Sequence, residues 1–115
     1  VLARVIQIKI SKTLLKNMSR SKLNKGDRLM KLAADELVAD GWLVEKAKKI
    51  RWQQQDFFGC WDILAVKHDK IRFIQVSASP LYDRGIAYKK KLIDFPRVGD
   101  KEYWWYDRGW KLTIL

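Results

Sequence analysis

Cysteine is almost missing from this chain of 115 residues. The single thiol, Cys60, cannot form an internal disulfide, so the fold must hold without covalent cross-links and suits a reducing, cytoplasmic compartment. In an apolar neighbourhood it reads as a small hydrophobe rather than a nucleophile. Only one histidine occurs, His68. It falls in a predicted turn far from the other polar candidates, so imidazole acid–base chemistry is not available. No apolar run approaches the length of a membrane span. The opening residues are basic and mixed, without a signal-peptide pattern. Repeats and low-complexity stretches are absent too, and the length fits one domain.

Acidic residues are missing from one region. Residues 1–25 hold seven Lys and Arg and no Asp or Glu. The whole chain has 24 basic and 13 acidic residues, a net charge of +11. From Gly26 onward the balance is 17 to 13, or +4. The charge favours a polyanionic partner, usually nucleic acid, but most of the excess lies in the arm. The expected organisation is a basic arm over 1–25 and a folded domain over 26–115. Met18-Ser19-Arg20 looks like a natural start, so residues 1–17 read as vector-derived or upstream sequence, although Val5, Ile6, Ile8 and Ile10 are compatible with a strand.

Asp27 to Asp40 carries the clearest helical pattern. Leu29, Met30, Ala33, Ala34, Leu37 and Val38 make one apolar stripe, with Arg28, Lys31 and Asp35 opposite. Asn24 or Asp27 can cap its start and Gly41 can end it. Trp42 to Ala47 reads as a strand, continued by Lys48 to Trp52 or followed by a loop, and Gln53-Gln54-Gln55 reads as a connector. Asp56 to Val66 and Ile71 to Ser77 form two strands around the turn Lys67-His68-Asp69-Lys70. Ser79 and Pro80 announce a helix from Tyr82 to Ile93, interrupted by Gly85 and stopped at Asp94-Phe95-Pro96. Glu102 to Tyr106, a turn at Asp107-Arg108-Gly109, and Trp110 to Leu115 make a second hairpin. Its aromatic residues suit a core; base stacking is the alternative. The sum is a single-domain α/β fold, a mixed central sheet of about five strands flanked by two helices.

The central hairpin has a readable register. A two-residue or a four-residue loop puts Lys67 across from Lys70, Ile63 across from Ile74, and Asp62 across from Gln75. Ser77 follows Gln75 on the same face. An acid, an amide and a hydroxyl therefore meet at the open end of an apolar hairpin, with Asp56 just upstream. The ordinary alternative is a buried Asp bonded to a backbone N–H or a nearby lysine.

The run Gln55-Asp56-Phe57-Phe58-Gly59-Cys60-Trp61-Asp62, then Gln75-Val76-Ser77, resembles the PD-(D/E)xK nucleases. It is most similar to a phage and archaeal subgroup related to Holliday-junction resolvases. The resemblance covers about Gly26 to Leu115 and implies a restriction-endonuclease-like core. It implies that Asp62, Gln75 and Ser77 occupy the catalytic positions, with Gln75 an accepted variant of the family Glu and Ser77 a departure from the family Lys. It further implies weak binding of Mg²⁺ or Mn²⁺ by Asp62, Gln75, the Val76 carbonyl and Asp56. The family's helix acid falls on Met30 and is missing. DNA is the implied substrate, cleaved as a metal-dependent and structure-selective endonuclease does, by a symmetric homodimer. Lys89, Lys90 and Lys91, with Arg51 and Arg84, are the candidate phosphate contacts; for the lysine run a solvated helix face is the alternative. Two other functions stay open, an inactive nucleic-acid-binding domain on this fold and a protein-interaction module.

Overall fold

The computed structural model describes residues 4–8, 25–50 and 53–115. Strand β1 (Arg4–Ile8) precedes helix α1 (Lys25–Ala39) and strand β2 (Leu43–Lys46). A short ribbon follows, β3 (Lys48–Ile50) with β4 (Gln53–Gln55). Then come β5 (Ile63–Lys67), β6 (Lys70–Ser77), a 3₁₀ turn (Leu81–Asp83), helix α2 (Ile86–Asp94), β7 (Asp100–Tyr106) and β8 (Trp110–Ile114). The main sheet runs β1-β8-β7-β6-β5-β2. All pairings in it are antiparallel except β6 with β7. The expected α/β architecture, a mixed sheet with two helices, is therefore present. The sixth strand, β1, comes from residues assigned above to the arm. It pairs with β8, Arg4 opposite Ile114 through Ile8 opposite Trp110.

Helix α1 ends where Gly41 predicts. Gly41 takes φ 90°, its N–H donates to the Val38 carbonyl, and the Trp42 N–H reaches the Leu37 carbonyl at 3.0 Å. This pair of bonds satisfies carbonyls that the helix end leaves open. Leu29, Leu32, Ala33, Ala34 and Leu37 are buried. They pack on Ile63, Ala65, Ile74, Trp104, Trp110 and Leu112, which line one face of the sheet. Leu32 replaces Val38 in the buried stripe, and Val38 is exposed. At about 100° per residue Val38 falls opposite Leu29 and faces away, while Leu32 flanks Leu29 on the buried side.

The opposite face carries Leu64, Phe73, Tyr103 and Trp105 under Leu92 and Tyr88 of α2. The helix starts later than expected. Gly85, read as an interruption, is its N-cap residue, with Pro80 in front of the separate 3₁₀ turn. Its end is tied to the sheet by Lys101, a buried residue whose ammonium donates to the carbonyls of Leu92 (3.1 Å), Ile93 and Phe95 (2.9 Å). Those are carbonyls that a helix C-terminus leaves without partners, and a cation there also suits the helix dipole. Burial lowers the Lys101 pKa.

Three other expectations change. Gln53–Gln55 is a strand, paired with Lys48–Ile50. Strand β5 begins only at Ile63. Residues 57–61 close a tight turn, bridged between Phe57 and Trp61, and Cys60 is buried in that turn rather than in a strand. The C-terminal hairpin does form, with Tyr106 opposite Trp110 and Arg108 and Gly109 at positive φ in the loop, the chemistry of a three-residue hairpin loop. Trp104, Trp105 and Trp110 are buried, so core packing holds there and neither base stacking nor a dimer surface rests on those rings.

Candidate functional site

The hairpin loop length fixes the central register. Lys67 lies opposite Lys70 and Ile63 opposite Ile74, with His68 taking φ 57° in the two-residue turn, as primed turns demand. Alternation then carries Leu64 and Phe73 to the α2 face. Gln75 and Ser77 follow on that face by the period of two, and Asp62 lies one step before Ile63.

Asp62 stands where the strand leaves its ladder. Its N–H donates to the Ile74 carbonyl (2.9 Å) and its carbonyl accepts the Ala47 N–H (2.7 Å). Its Oδ2 accepts the Val76 N–H at 2.9 Å. A side-chain oxygen thus takes a ladder donor that the turning backbone no longer meets. The residue is 6% exposed. Burial is the main reason its carboxyl is pushed up to about 7 from 3.8. The Val76 bond opposes this, while the charge of Asp56 and a hydrogen bond with it add to the rise. Asp56 and Asp62 therefore form one acidic pair. The contact that Val76 makes with it is a donated N–H, whereas the resemblance implies the carbonyl.

The rest of the cluster comes from three elements. Gln75 pairs with Tyr103 across the parallel β6–β7 register, and Ser77 with Trp105. Ser77 Oγ accepts the Ser79 N–H at 3.2 Å and lies 3.5 Å from the Arg84 guanidinium, which donates to it. Arg84 also lies over the Tyr88 ring, 4.2 Å from its centroid. The Tyr103 hydroxyl donates to the Ser79 carbonyl at 2.6 Å. Burial, with Tyr103, raises the Tyr88 phenol to about 12, and its hydroxyl interacts with Gln75. Tyr88 is thus a neutral donor at any ordinary pH. Asp56 Oδ1, Gln75 Oε1 and the Tyr88 hydroxyl are buried atoms without a well-formed hydrogen-bond partner among the described residues. Three such atoms in one cluster contrast with the usual near-complete satisfaction of buried polar groups.

Asp62, Gln75 and Ser77 accordingly meet on one face, with Asp56 beside them. The lysines divide. Lys91 donates to the Gly59 carbonyl at 2.7 Å, tying α2 to the turn after Asp56. Lys90 pairs with Asp94 on the exposed side of the helix. Arg84, rather than Lys90 or Lys91, donates to Ser77, the position of the family lysine. Met30 packs against the core on the other face, so α1 brings no acid to this site. Arg51 lies outside the described residues.

Sequence reasoning missed Tyr88 and Tyr103. Tyr88 and Lys91 have the i, i+3 spacing of one helix face, while Arg84 reaches the Tyr88 ring from the extended residue before the Gly85 cap. Tyr103 had no such signal, because its place beside Gln75 depends on a parallel register set by a 22-residue connection from Ala78 to Gly99. Among the described residues, no group of three His, Cys, Asp or Glu forms a metal-holding cluster, and no helix is long and apolar enough to cross a membrane. Comparison with protein-family models, curated proteins and solved structures yields no match.

Proposed function

We propose that this chain is a metal-dependent DNA endonuclease of the PD-(D/E)xK type that hydrolyses phosphodiester bonds at the Asp62 cluster, with the structure selectivity of resolvase-like relatives. The observation that carries this is the meeting of Asp62, Gln75 and Ser77 on one sheet face beside Asp56. The chain order supports it: a helix, strands, a second helix and two further strands in a sheet of mixed direction are what the resemblance implies. A net charge of +11 suits a DNA partner. A symmetric homodimer in a reducing cytoplasm completes the proposal by analogy.

The donors fit a small hard cation. Such ions take oxygen ligands, and Asp56 Oδ1 and Gln75 Oε1 are buried oxygens without a well-formed hydrogen-bond partner among the described residues. Asp56, Asp62 and Gln75 would hold Mg²⁺ or Mn²⁺, weakly, since only two carboxylates contribute. The ion, when bound, supplies a more acidic water and offsets charge on the phosphate. The side chains do the rest. Asp62, whose buried carboxyl is pushed up to about 7, would be held as the carboxylate by the ion beside it. Arg84 stands beside Ser77, where the family has its lysine. A guanidinium stays charged and accepts no proton, so it neutralises phosphate but relays nothing. Tyr88 offers a neutral O–H.

A second reading is a DNA-binding domain on the same fold without turnover. Ser77 in the lysine position and the deep burial of Asp62 favour it. A nicking assay on supercoiled, branched and single-stranded DNA with Mg²⁺ or Mn²⁺ separates the two. The wild type should cut, and Asp62→Asn should abolish cutting while binding holds or tightens. Gln75→Glu with Ser77→Lys should raise activity beyond either change alone. Equal inertness of wild type and Asp62→Asn, with both binding DNA, would replace the endonuclease by the binding domain.

A further inference from the structure

The buried tryptophans leave the question of which aromatic rings face solvent. Phe58 is 75% exposed and Tyr82 is 77% exposed. Both border the Asp62 cluster, at opposite ends of α2. Phe58 sits in the turn between Asp56 and Cys60, and its ring lies 5.6 Å from that of Phe95, the residue just after α2. Tyr82 lies in the 3₁₀ turn two residues before Arg84. A nine-residue helix is about 13 Å long; Arg84, just before its Gly85 cap, and Lys91, within it, both lie over the Tyr88 ring.

The backbone of its turn does not favour a phenyl side chain at Phe58. Its φ is 54°, a region that a bulky residue enters only under strain and that Gly, Asn or Asp fill at lower cost. The following Gly59 has φ 66°. The turn is held by backbone bonds, Gly59 N–H to Asp56 carbonyl and Cys60 N–H to Phe57 carbonyl, and by Lys91 on the Gly59 carbonyl. None of these needs a phenyl side chain. Backbone strain that holds a large apolar ring in water beside a polar cluster points to use rather than packing. Phe95 gives it a firm seat, because that ring also meets Trp61 (5.5 Å) and Phe73 (5.4 Å) in the core.

We infer that Phe58 and Tyr82 are stacking platforms for unpaired DNA bases on either side of the Asp62 cluster, with Arg84 taking phosphate between them. This rests on the proposed DNA function and narrows its substrate to DNA with an unpaired segment. Bases within a duplex are stacked on each other; only an unstacked base offers its face to a protein ring. The cations along the same stretch suit a polyanion and not an apolar partner.

The test uses the full chain in EDTA, with fluorescence anisotropy of an oligo-dT strand, a blunt duplex, and a duplex with a single-stranded arm. Phe58→Asn and Tyr82→Ser should each weaken oligo-dT and arm binding by about 5- to 150-fold. Blunt-duplex affinity should change by less than about twofold, and the dependence on log salt should keep its slope, because a ring releases no counterions. Phe58→Asn should keep or raise the Tm, since Asn tolerates the turn; Tyr82→Ser, in an open 3₁₀ turn, provides the check if the first variant fails to fold. Losses shared equally by duplex and single strand, or no loss in either variant, overturn the inference. Unchanged DNA affinity together with an altered sedimentation mass would assign the rings to a second copy, which overturns it as well. A wild type that binds no form of DNA removes both this inference and the endonuclease; one that binds duplex while the variants match it on every substrate removes this inference alone.

Discussion

The two faces of the sheet bury charge in opposite ways. Under α1, Arg72 and Glu102 form a two-pronged pair, with Nε 2.6 Å from Oε2 and the second nitrogen on Oε1. The Trp104 indole N–H donates to the same carboxylate at 3.0 Å, and the guanidinium lies over the Trp42 ring at 4.8 Å and the Trp104 ring at 5.7 Å. Opposite charges meet and the carboxylate has donors on both oxygens. Under α2, two like charges meet, Asp56 and Asp62, next to an amide oxygen and a phenol with no well-formed partners among the described residues. A fold gains nothing from the second arrangement by itself, because buried polar groups left unpaired cost free energy. The first face holds the sheet together, and the second is held together by it. This is where strain is expected to collect if the chain has chemistry to do.

Breaking the satisfied face should have the largest effect. Glu102→Ala leaves Arg72 charged and unpaired among tryptophans, at a cost of about 3–5 kcal/mol. A loss of Tm of about 10 °C or more should be seen in thermal melts. Replacing both partners, Arg72→Met with Glu102→Leu, should return most of it, since a packed apolar pair is often as stable as a buried ion pair. A double variant as unstable as Glu102→Ala would mean that the pair is needed for more than mutual neutralisation.

The acidic face should respond with the opposite sign, and only at the right pH. In the fold the Asp62 carboxyl lies near 7, against 3.8 ordinarily. The folded state therefore holds this proton more tightly than the unfolded chain. Its contribution to stability is fully present below about pH 4 and is lost as pH rises through about 7. Asn cannot ionise yet still accepts the Val76 N–H. Asp62→Asn should thus match wild type at about pH 4 and melt higher at about pH 8, by about 4 °C or more. Equal Tm differences at both pH values would show that Asp62 is not a strained acid.

The contrast between the faces was legible in part. The Asp62–Gln75–Ser77 alignment could be read because a short hairpin loop leaves one register, so that Ile63 must oppose Ile74. Helix α1 could be read because Gly41 ends it and its apolar stripe is long. Helix α2 could not be placed well: a Gly at an N-cap and a Gly interrupting a helix look alike in sequence, and Gly85 is the former. Tyr103 beside Gln75, and Glu102 where Arg72 reaches it, depend on the parallel β6–β7 register. A long crossover sets that register, and neither strand encodes it. The sixth strand was hidden for another reason. Its few apolar residues lie in a segment whose charge looks like that of an arm, and only pairing with β8 gives them a place.

The smallest effect is expected from the lysine run, and it tests whether the charge of α2 faces DNA or only solvent. Lys89, Lys90 and Lys91 are consecutive, so a helix spreads them about 100° apart and they cannot form one clamp. Lys91 already donates to the Gly59 carbonyl, and Lys90 is paired with Asp94 in water. Each phosphate neutralised adds about 0.9 to the slope of log affinity against log salt on duplex DNA. Three free lysines would give a drop of about 2.7 when all are changed to Ala. With Lys90 partly offset by Asp94 and Lys91 directed at the turn, the triple change should flatten the slope by about one unit. Asp94→Asn should act the other way, freeing Lys90 and removing a charge that repels the backbone, and should raise duplex affinity by about twofold to threefold at low salt. An unchanged slope in the triple variant would make the run a solvated helix face. A drop near the full value would mean that Lys91 leaves Gly59 when DNA arrives, and that the turn carrying Phe58 is released at the same moment.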